Sequence, residues 1–345
     1  MNRRTFVRCT AFRQLSALLL LSLSIGAAAQ QPALTGRVTS SAEGPMEGVL
    51  VRAHREGSNK TVTVVTRADG SYSFPRERLE PGPYTVSVRA VKYVLPARHE
   101  SVDITANAAA QLDLALRDAD SLELALQMTD PEWFGSFPLD DRTKWELFRD
   151  CSRCHTMRRP SMSTYDAEEL AWVMMRMVYS AGSSPMRFQL PANATPHWGR
   201  AEGGEPSGQQ RRQAEAIASI NLRQGSWSYE LKTLPRPTGK ETEVIYTTWD
   251  LPATARPHDT RIAADGSIWF NHFNDNAIGR LDPKTGQVKE WRWPYRAREG
   301  SFAPTGARTL MGPDARGRWY IGNQAQSGVV VFDPATEQFE FHDPP

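Results

Sequence analysis

Pro81-Gly82-Pro83-Tyr84-Thr85-Val86-Ser87-Val88-Arg89-Ala90 first breaks the backbone and then alternates along an extended chain. Tyr84, Val86, Val88 and Ala90 fall on one side, and Thr85, Ser87 and Arg89 on the other. Leu112, Leu114 and Leu116 repeat the two-residue period. Upstream, Asp69-Gly70 separates an expected strand at Thr61 to Thr66 from another at Ser71 to Phe74. Together these stretches predict a small antiparallel β-sandwich over residues 34–117. With 345 residues, too many for one ordinary core, two or three domains are expected. Frequent glycine and proline (24 each) and 10 tryptophans favour short strands and turns over most of the chain.

Within the first segment, Gly36-Arg37-Val38, Gly48-Val49-Leu50-Val51, Ala68-Asp69-Gly70-Ser71-Tyr72-Ser73-Phe74 and Leu79-Glu80-Pro81-Gly82-Pro83-Tyr84-Thr85-Val86 resemble the carboxypeptidase regulatory-like family. That resemblance implies a transthyretin-like sandwich used as an accessory or spacer module, and it brings no catalytic residues.

Residues 118–236 change character. A helix is expected from Asp140 to Cys151, with Trp145 and Phe148 sharing a face. A second starts at Asp166, where Asp166 and Glu169 form a capping box. A third occupies roughly Gln209 to Asn221, with Ala214, Ile217 and Ala218 on its buried side. A loop rich in Gly, Pro and Ser separates the last two. Three helices in this order predict a small all-α domain over residues 118–236.

From residue 241 to 345 the pattern returns to β and repeats. Ala264-Asp265-Gly266-Ser267-Ile268-Trp269-Phe270 corresponds to Ala315-Arg316-Gly317-Arg318-Trp319-Tyr320-Ile321. Arg280-Leu281-Asp282-Pro283-Lys284-Thr285-Gly286 corresponds to Val331-Phe332-Asp333-Pro334-Ala335-Thr336-Glu337, with the Asp-Pro pairs 51 positions apart. A turn, an aromatic strand, an Asp-Pro turn and a final strand make one blade of a β-propeller. The segment looks like the virginiamycin B lyase family of propellers, over about two blades. A ring needs at least four, so a further chain or further sequence is expected to complete it.

The first 29 residues read as a signal peptide. Arg3, Arg4, Arg8 and Arg13 precede the apolar run around Leu18 to Ile25, and Ala27-Ala28-Ala29 offers a cleavage site. The run is shorter than the roughly 20 residues a spanning helix needs, so no membrane span is expected after cleavage. Asn2-Arg3-Arg4-Thr5-Phe6 also resembles a twin-arginine signal, so the Sec and twin-arginine routes both stay open. Losing the four arginines takes the formal net charge from +2 to −2. The mature chain therefore carries no electrostatic footprint for nucleic acid or an anionic membrane surface. An exported, periplasmic location in a bacterium is expected.

Cys9 leaves with the signal, so the mature chain keeps Cys151 and Cys154 in Cys151-Ser152-Arg153-Cys154-His155. This is the spacing of haem c attachment: two thiols add across two vinyl groups, and the following imidazole sits under the ring as proximal iron ligand. Zinc would need a second ligand pair, and the sequence has none. A thioredoxin-like redox pair would follow a strand, whereas this motif follows a helix. One covalent haem c, held by Cys151, Cys154 and His155, is the expected cofactor, and residues 118–236 are expected to be a small all-α cytochrome c domain.

The second axial ligand has several candidates in Met157, Met162, Met174, Met175, Met177 and Met186. On the helix from Asp166, Leu170, Val173, Met174 and Met177 share one face, whereas Met175 points away. Glu168-Glu169-Leu170-Ala171-Trp172-Val173-Met174-Met175-Arg176-Met177 resembles cytochrome domains in which a Trp-containing helix after the motif ends in Arg-Met. That resemblance implies Met177 as the ligand. Met186 is the second choice and His197 the third, and core filling by Met177 is the competing role.

His258, Asp259 and His272 invite a catalytic reading, but such residues more often cap strands or line a propeller channel. No HExxH, GxSxG, P-loop or GxGxxG occurs. The expected function is electron transfer with accessory β-domains for docking or substrate binding, and a redox protein or quinoprotein-type dehydrogenase as partner. The alternative is a propeller enzyme, lyase or dehydrogenase, acting on a small molecule with the haem as electron acceptor.

Overall fold

The structure is a computed structural model that describes residues 31–152, 155–176, 205–255, 257–272, 275–294, 307–323 and 328–343. The chain is mostly β, with four sheets and six α-helices among the described residues.

Residues 34–118 form ten strands: β1 (Leu34–Ser40), β2 (Gly44–Pro45), β3 (Leu50–Arg55), β4 (Lys60–Val65), β5 (Ser71–Phe74), β6 (Gly82–Arg89), β7 (Tyr93–Val94), β8 (Glu100–Ile104), β9 (Ala110–Gln111) and β10 (Leu114–Asp118). One sheet runs β2-β1-β10-β7, with β5 and β9 also paired to β1. The other contains β4-β3-β6-β8. Tyr84, Val86 and Ala90 are buried and pack with Val51, Ala53, Phe74 and Leu114, so the alternation marks the core face. The sandwich is not wholly antiparallel. β1 pairs in parallel with β10, Val38 opposite Leu114, and with β9. Its geometry leaves no room for a side chain at residue 36, where a Cβ on Gly36 would lie 1.8 Å from the Leu112 carbonyl oxygen. The Tyr72 hydroxyl donates to that same oxygen at 2.5 Å.

Six helices follow: α1 (Ser121–Gln127), α2 (Asp130–Ser136), α3 (Asp141–Cys151), α4 (Arg158–Ser161), α5 (Ala167–Arg176) and α6 (Gly208–Ile220). Their starts are legible in local chemistry. Asp120 with Glu123, Asp166 with Glu169, and Ser207 with Gln210 make reciprocal capping bonds. The helices share a core of Trp133, Phe137, Leu147, Met157, Leu170, Met174, Ala214, Ile217 and Ile220. Trp133 lies 5.7 Å from Trp227 and 6.1 Å from Phe137, in tilted geometry. Leu147, not Trp145 or Phe148, is the core residue of α3: the latter two are 56% and 58% exposed.

β11 (Ile245–Trp249) has a partner the repeat pattern gave no sign of. It adds antiparallel to β4, Thr247 opposite Val62, and widens the second sandwich sheet to five strands, β11-β4-β3-β6-β8. The edge of β4 is thereby covered. The chain then forms two four-stranded antiparallel meanders. The first is β12 (Pro257–Ile262), β13 (Ile268–His272), β14 (Ala277–Leu281) and β15 (Val288–Arg292). The second is β16 (Ala307–Pro313), β17 (Trp319–Asn323), β18 (Gly328–Asp333) and β19 (Gln338–His342).

Four turns of the meanders share one kind of hydrogen bond, although only Asp282 and Asp333 occupy equivalent positions of the repeat. Asp265, Asp282, Asp314 and Asp333 each accept, through Oδ1, the backbone N–H two residues on, at 2.8–2.9 Å. The aromatic strands supply the packing. Trp269 stacks 4.9 Å from Trp319 and 5.5 Å from Trp291, and Trp291 lies 5.0 Å from Phe332, closing one shared core between the two sheets.

Candidate functional site

Cys151 is the last residue of α3 and is half-buried, packed against the helical core. The residue before it, Asp150, holds that helix end in place. Its carboxylate accepts Arg149 Nε and Nη2 at 2.6 Å each, Gln213 Nε2 at 2.7 Å and Gln209 Nε2 at 2.8 Å. Two of these donors come from α6, so Asp150 braces α3 against α6 at the position where the motif begins. The Arg149 guanidinium, with the glutamine amides, holds this carboxyl below the usual carboxylate range despite some burial.

His155 is half-buried, and its Nδ1 lies 3.1 Å from the Thr156 carbonyl oxygen. A carbonyl only accepts, so in the neutral imidazole this contact favours the tautomer with the proton on Nδ1, the one whose Nε2 can ligate a metal. Two residues later the Met157 amide donates to Asp130 Oδ1 at 2.7 Å, and the Met157 side chain is fully buried in the core. Further bonds fix the return of the chain. Trp227 Nε1 donates to the Ser161 carbonyl at 3.1 Å, the Leu222 amide to that of Ser163 at 3.0 Å, and Asn221 Nδ2 to that of Tyr165 at 2.8 Å.

Among the described residues, the groups a covalent haem would use are a thiol at a helix end, an imidazole four positions on whose Nδ1 faces a backbone carbonyl, and an apolar core beside the thiol. Cys154, Met177, Met186 and His197 lie outside the described residues. Met174 is buried on α5 beside Leu170, and Met157 is core. Among the described residues, no group of three or more His, Cys, Asp or Glu is arranged to hold a metal ion. Nor is any helix among them long and apolar enough to cross a membrane.

His258 and Asp259 sit together at a seam. Asp259 Oδ1 is 2.9 Å from His258 Nδ1, Asp259 Oδ2 accepts the Leu310 amide at 3.0 Å, and the Asp259 amide donates to Asn271 Oδ1 at 2.7 Å. Asn271 Nδ2 in turn donates to the Ala307 carbonyl at 2.7 Å. Asp259 and Asn271 therefore stitch the first meander to the second, which is a structural task. His272 is fully buried, stacked on Phe270 at 5.4 Å, with Nε2 3.1 Å from Glu290 Oε1. Burial raises the Glu290 carboxyl above its ordinary range. The three residues belong to two separate polar contacts, one at the seam and one within the first meander.

Sequence reasoning missed Asp130 and Asp150, whose partners lie 27 and about 60 positions away. It also missed Glu132, which is almost fully buried. Glu132 Oε2 accepts the Thr129 amide and hydroxyl at 2.7 and 2.8 Å, and Oε1 accepts the Leu234 amide at 2.9 Å. The Thr129-to-Glu132 spacing was a visible capping signal, but the bond to Leu234 had none.

Residues 33–117 are a carboxypeptidase regulatory-like domain, matched over that whole span. No curated protein matches the chain. Among solved structures, a catalytically inactive virginiamycin B lyase from Staphylococcus aureus with quinupristin is 17% identical, covering 30% of this chain and 31% of that one at a TM-score of 0.24. A streptogramin B lyase is 22% identical over the same shares, with a TM-score of 0.23. The 5-hydroxyisourate hydrolase of Klebsiella pneumoniae is 20% identical, with 26% of this chain and 100% of that one covered at a TM-score of 0.20. The chain spans about a third of the length of the lyases it matches.

Proposed function

We propose that this chain is an exported c-type cytochrome that carries one covalent haem at Cys151, Cys154 and His155 and passes single electrons. The observation that supports it most is the placement of His155, with Nδ1 facing the Thr156 carbonyl and the preceding helix end held by Asp150. When bound, the haem supplies a reversible one-electron couple at iron. The chain's own residues supply the rest. Cys151 and Cys154 would hold the haem covalently, and His155 and Met177 would ligate its iron. Trp133, Phe137, Met157 and Leu170 exclude water from the helical core.

On this reading the helices of residues 118–236 form an all-α cytochrome domain, and the two meanders are blades of an incomplete β-propeller. A second chain or sequence beyond these residues would supply the remaining blades. The sandwich is a spacer, and the meanders offer a docking or substrate surface to a redox partner, such as a quinoprotein-type dehydrogenase, in the periplasm. No bond-breaking residue of this chain is required. The reading is tested by producing the mature protein with haem maturation machinery and recording its visible spectrum. A c-type spectrum that changes on reduction and reoxidation supports it, and a colourless folded protein overturns it.

A further inference from the structure

The helical site leaves one feature of the molecule unused: a cavity of about 400 Å³ where the sandwich meets the first meander. Its walls come from three connections: β3 to β4, β5 to β6, and the β14 to β15 turn. They include Arg55, Lys60, Arg78, Glu80, Tyr84 and Lys284. Asn59 fixes the meeting point. Its Nδ2 donates to the Gly286 carbonyl at 2.8 Å and to the Asp250 carbonyl at 3.0 Å, while the Asp250 amide donates to the Asn59 carbonyl at 2.7 Å. The cavity is thus built by contacts that are 191 and 227 positions apart in sequence.

Its charge is unbalanced. The lining residues include four cationic and one acidic, and that one, Glu80, is already paired with Arg55 at 2.6 Å. Among the described residues, Lys60, Arg78 and Lys284 have no carboxylate within ion-pair distance of their side chains. Like charges drawn together around a concave surface raise the local potential and attract a counter-charge. The volume exceeds what one inorganic ion fills and falls in the range of small-molecule sites. The Tyr84 ring, itself buried, contributes an apolar wall.

We propose that this cavity binds a small organic polyanion, a molecule with two or more carboxylate or phosphate groups, bridging Arg78 and Lys60 of the sandwich to Lys284 of the first meander. Such a ligand also locks the two units together, because its charges are shared between them.

The test uses the full mature protein in low-salt buffer and isothermal titration calorimetry. Citrate serves as a carboxylate probe, 2,3-bisphosphoglycerate as a phosphate probe, and inorganic phosphate as the small-ion arm. Citrate or the bisphosphate is expected to bind with a dissociation constant on the order of 0.1–1 mM, and inorganic phosphate more weakly. The stronger of the two organic probes names the preferred anionic group. Arg78→Gln with Lys284→Gln is expected to weaken that binding by about tenfold or more. Arg142→Gln, at an exposed site on α3, controls for the loss of positive charge and should leave binding unchanged. No heat from either organic probe overturns the proposal, as does equal affinity in the double variant. Inorganic phosphate matching the organic probes overturns it too, since that is general ion binding. Arg78 and Lys284 are exposed and have no ion-pair partner among the described residues, so the double variant should keep the parent melting temperature.

Discussion

The backbone amide of Met157 donates to Asp130 Oδ1 at 2.7 Å, and this bond joins the turn that leaves His155 to the first turn of α2. Asp130 is well placed for it: a carboxylate in the first helical turn is favoured by the helix dipole and also accepts a non-local amide. Asp130→Ala should therefore destabilise the helical unit by about 1–3 kcal/mol. Asp130→Asn, which keeps an acceptor, should cost less. Chemical denaturation followed by tryptophan fluorescence measures the difference, since Trp133 and Trp227 lie in that core. Equal, unperturbed midpoints for both variants would remove Asp130 from the account.

Gly286 and Asn59 make a second long-range contact, and its tolerance is small. Gly286 has φ +76°, and a Cβ there would sit 2.2 Å from Asn59 Oδ1. Gly286→Ala is expected to cost more than about 1 kcal/mol through backbone strain and that clash together. Asn59→Ala should loosen the first meander without the strain. In both variants, limited proteolysis is expected to cut between Trp249 and Pro257 faster than in the parent.

Acid should release a third joint. Arg236 Nε donates to the Glu47 carbonyl at 2.9 Å, and its Nη2 is paired with Glu43 Oε2. The Arg236 hydrogen bond holds the Glu43 carboxyl below its ordinary 4.5. A carboxyl lowered in the folded state binds its proton more tightly when unfolded. Its contribution is therefore complete above that ordinary value and is lost as pH falls through the folded value. Denaturation midpoints measured from pH 6 downward should fall less steeply in Arg236→Gln than in the parent. Identical slopes would show that this pair does not set the acid limb.

For the distal ligand, Met177→Ala should abolish the sulfur-to-iron charge-transfer band of the ferric protein and lower its potential, while Met186→Ala leaves both intact. Loss of the band only in the Met186 variant would move the assignment to that residue.

The parts of this fold that were legible in sequence are those set by local chemistry. Alternation at Tyr84, Val86 and Ala90 marked a core face because one side of the strand is buried. Asp166 with Glu169 marked a helix start because its two bonds span three residues. The Asp282-Pro283 and Asp333-Pro334 turns marked the two meanders for the same reason. What stayed hidden depends on distant partners. β11 had no local sign that its hydrogen bonds go to β4, and the parallel pairing of β1 with β10 joins strands at opposite ends of the sandwich. Asp150 reads as an ordinary surface charge until α6 brings Gln209 and Gln213 to it. Cys151 and His155 stand out in the sequence by residue type and spacing alone, whereas the bonds around them, from Asp150 to α6 and from His155 to the Thr156 carbonyl, had no local sign.

Two thioether bonds, from Cys151 and Cys154 to one haem, carry the proposed function. Mass spectrometry of the denatured protein, made with haem maturation machinery, reads them. The expected mass is that of the mature polypeptide plus one haem, retained after acid and organic solvent, and that of the polypeptide alone in Cys151→Ala/Cys154→Ala. A parent protein whose mass is that of the polypeptide alone, under conditions in which a control c-type cytochrome is fully loaded, contradicts it.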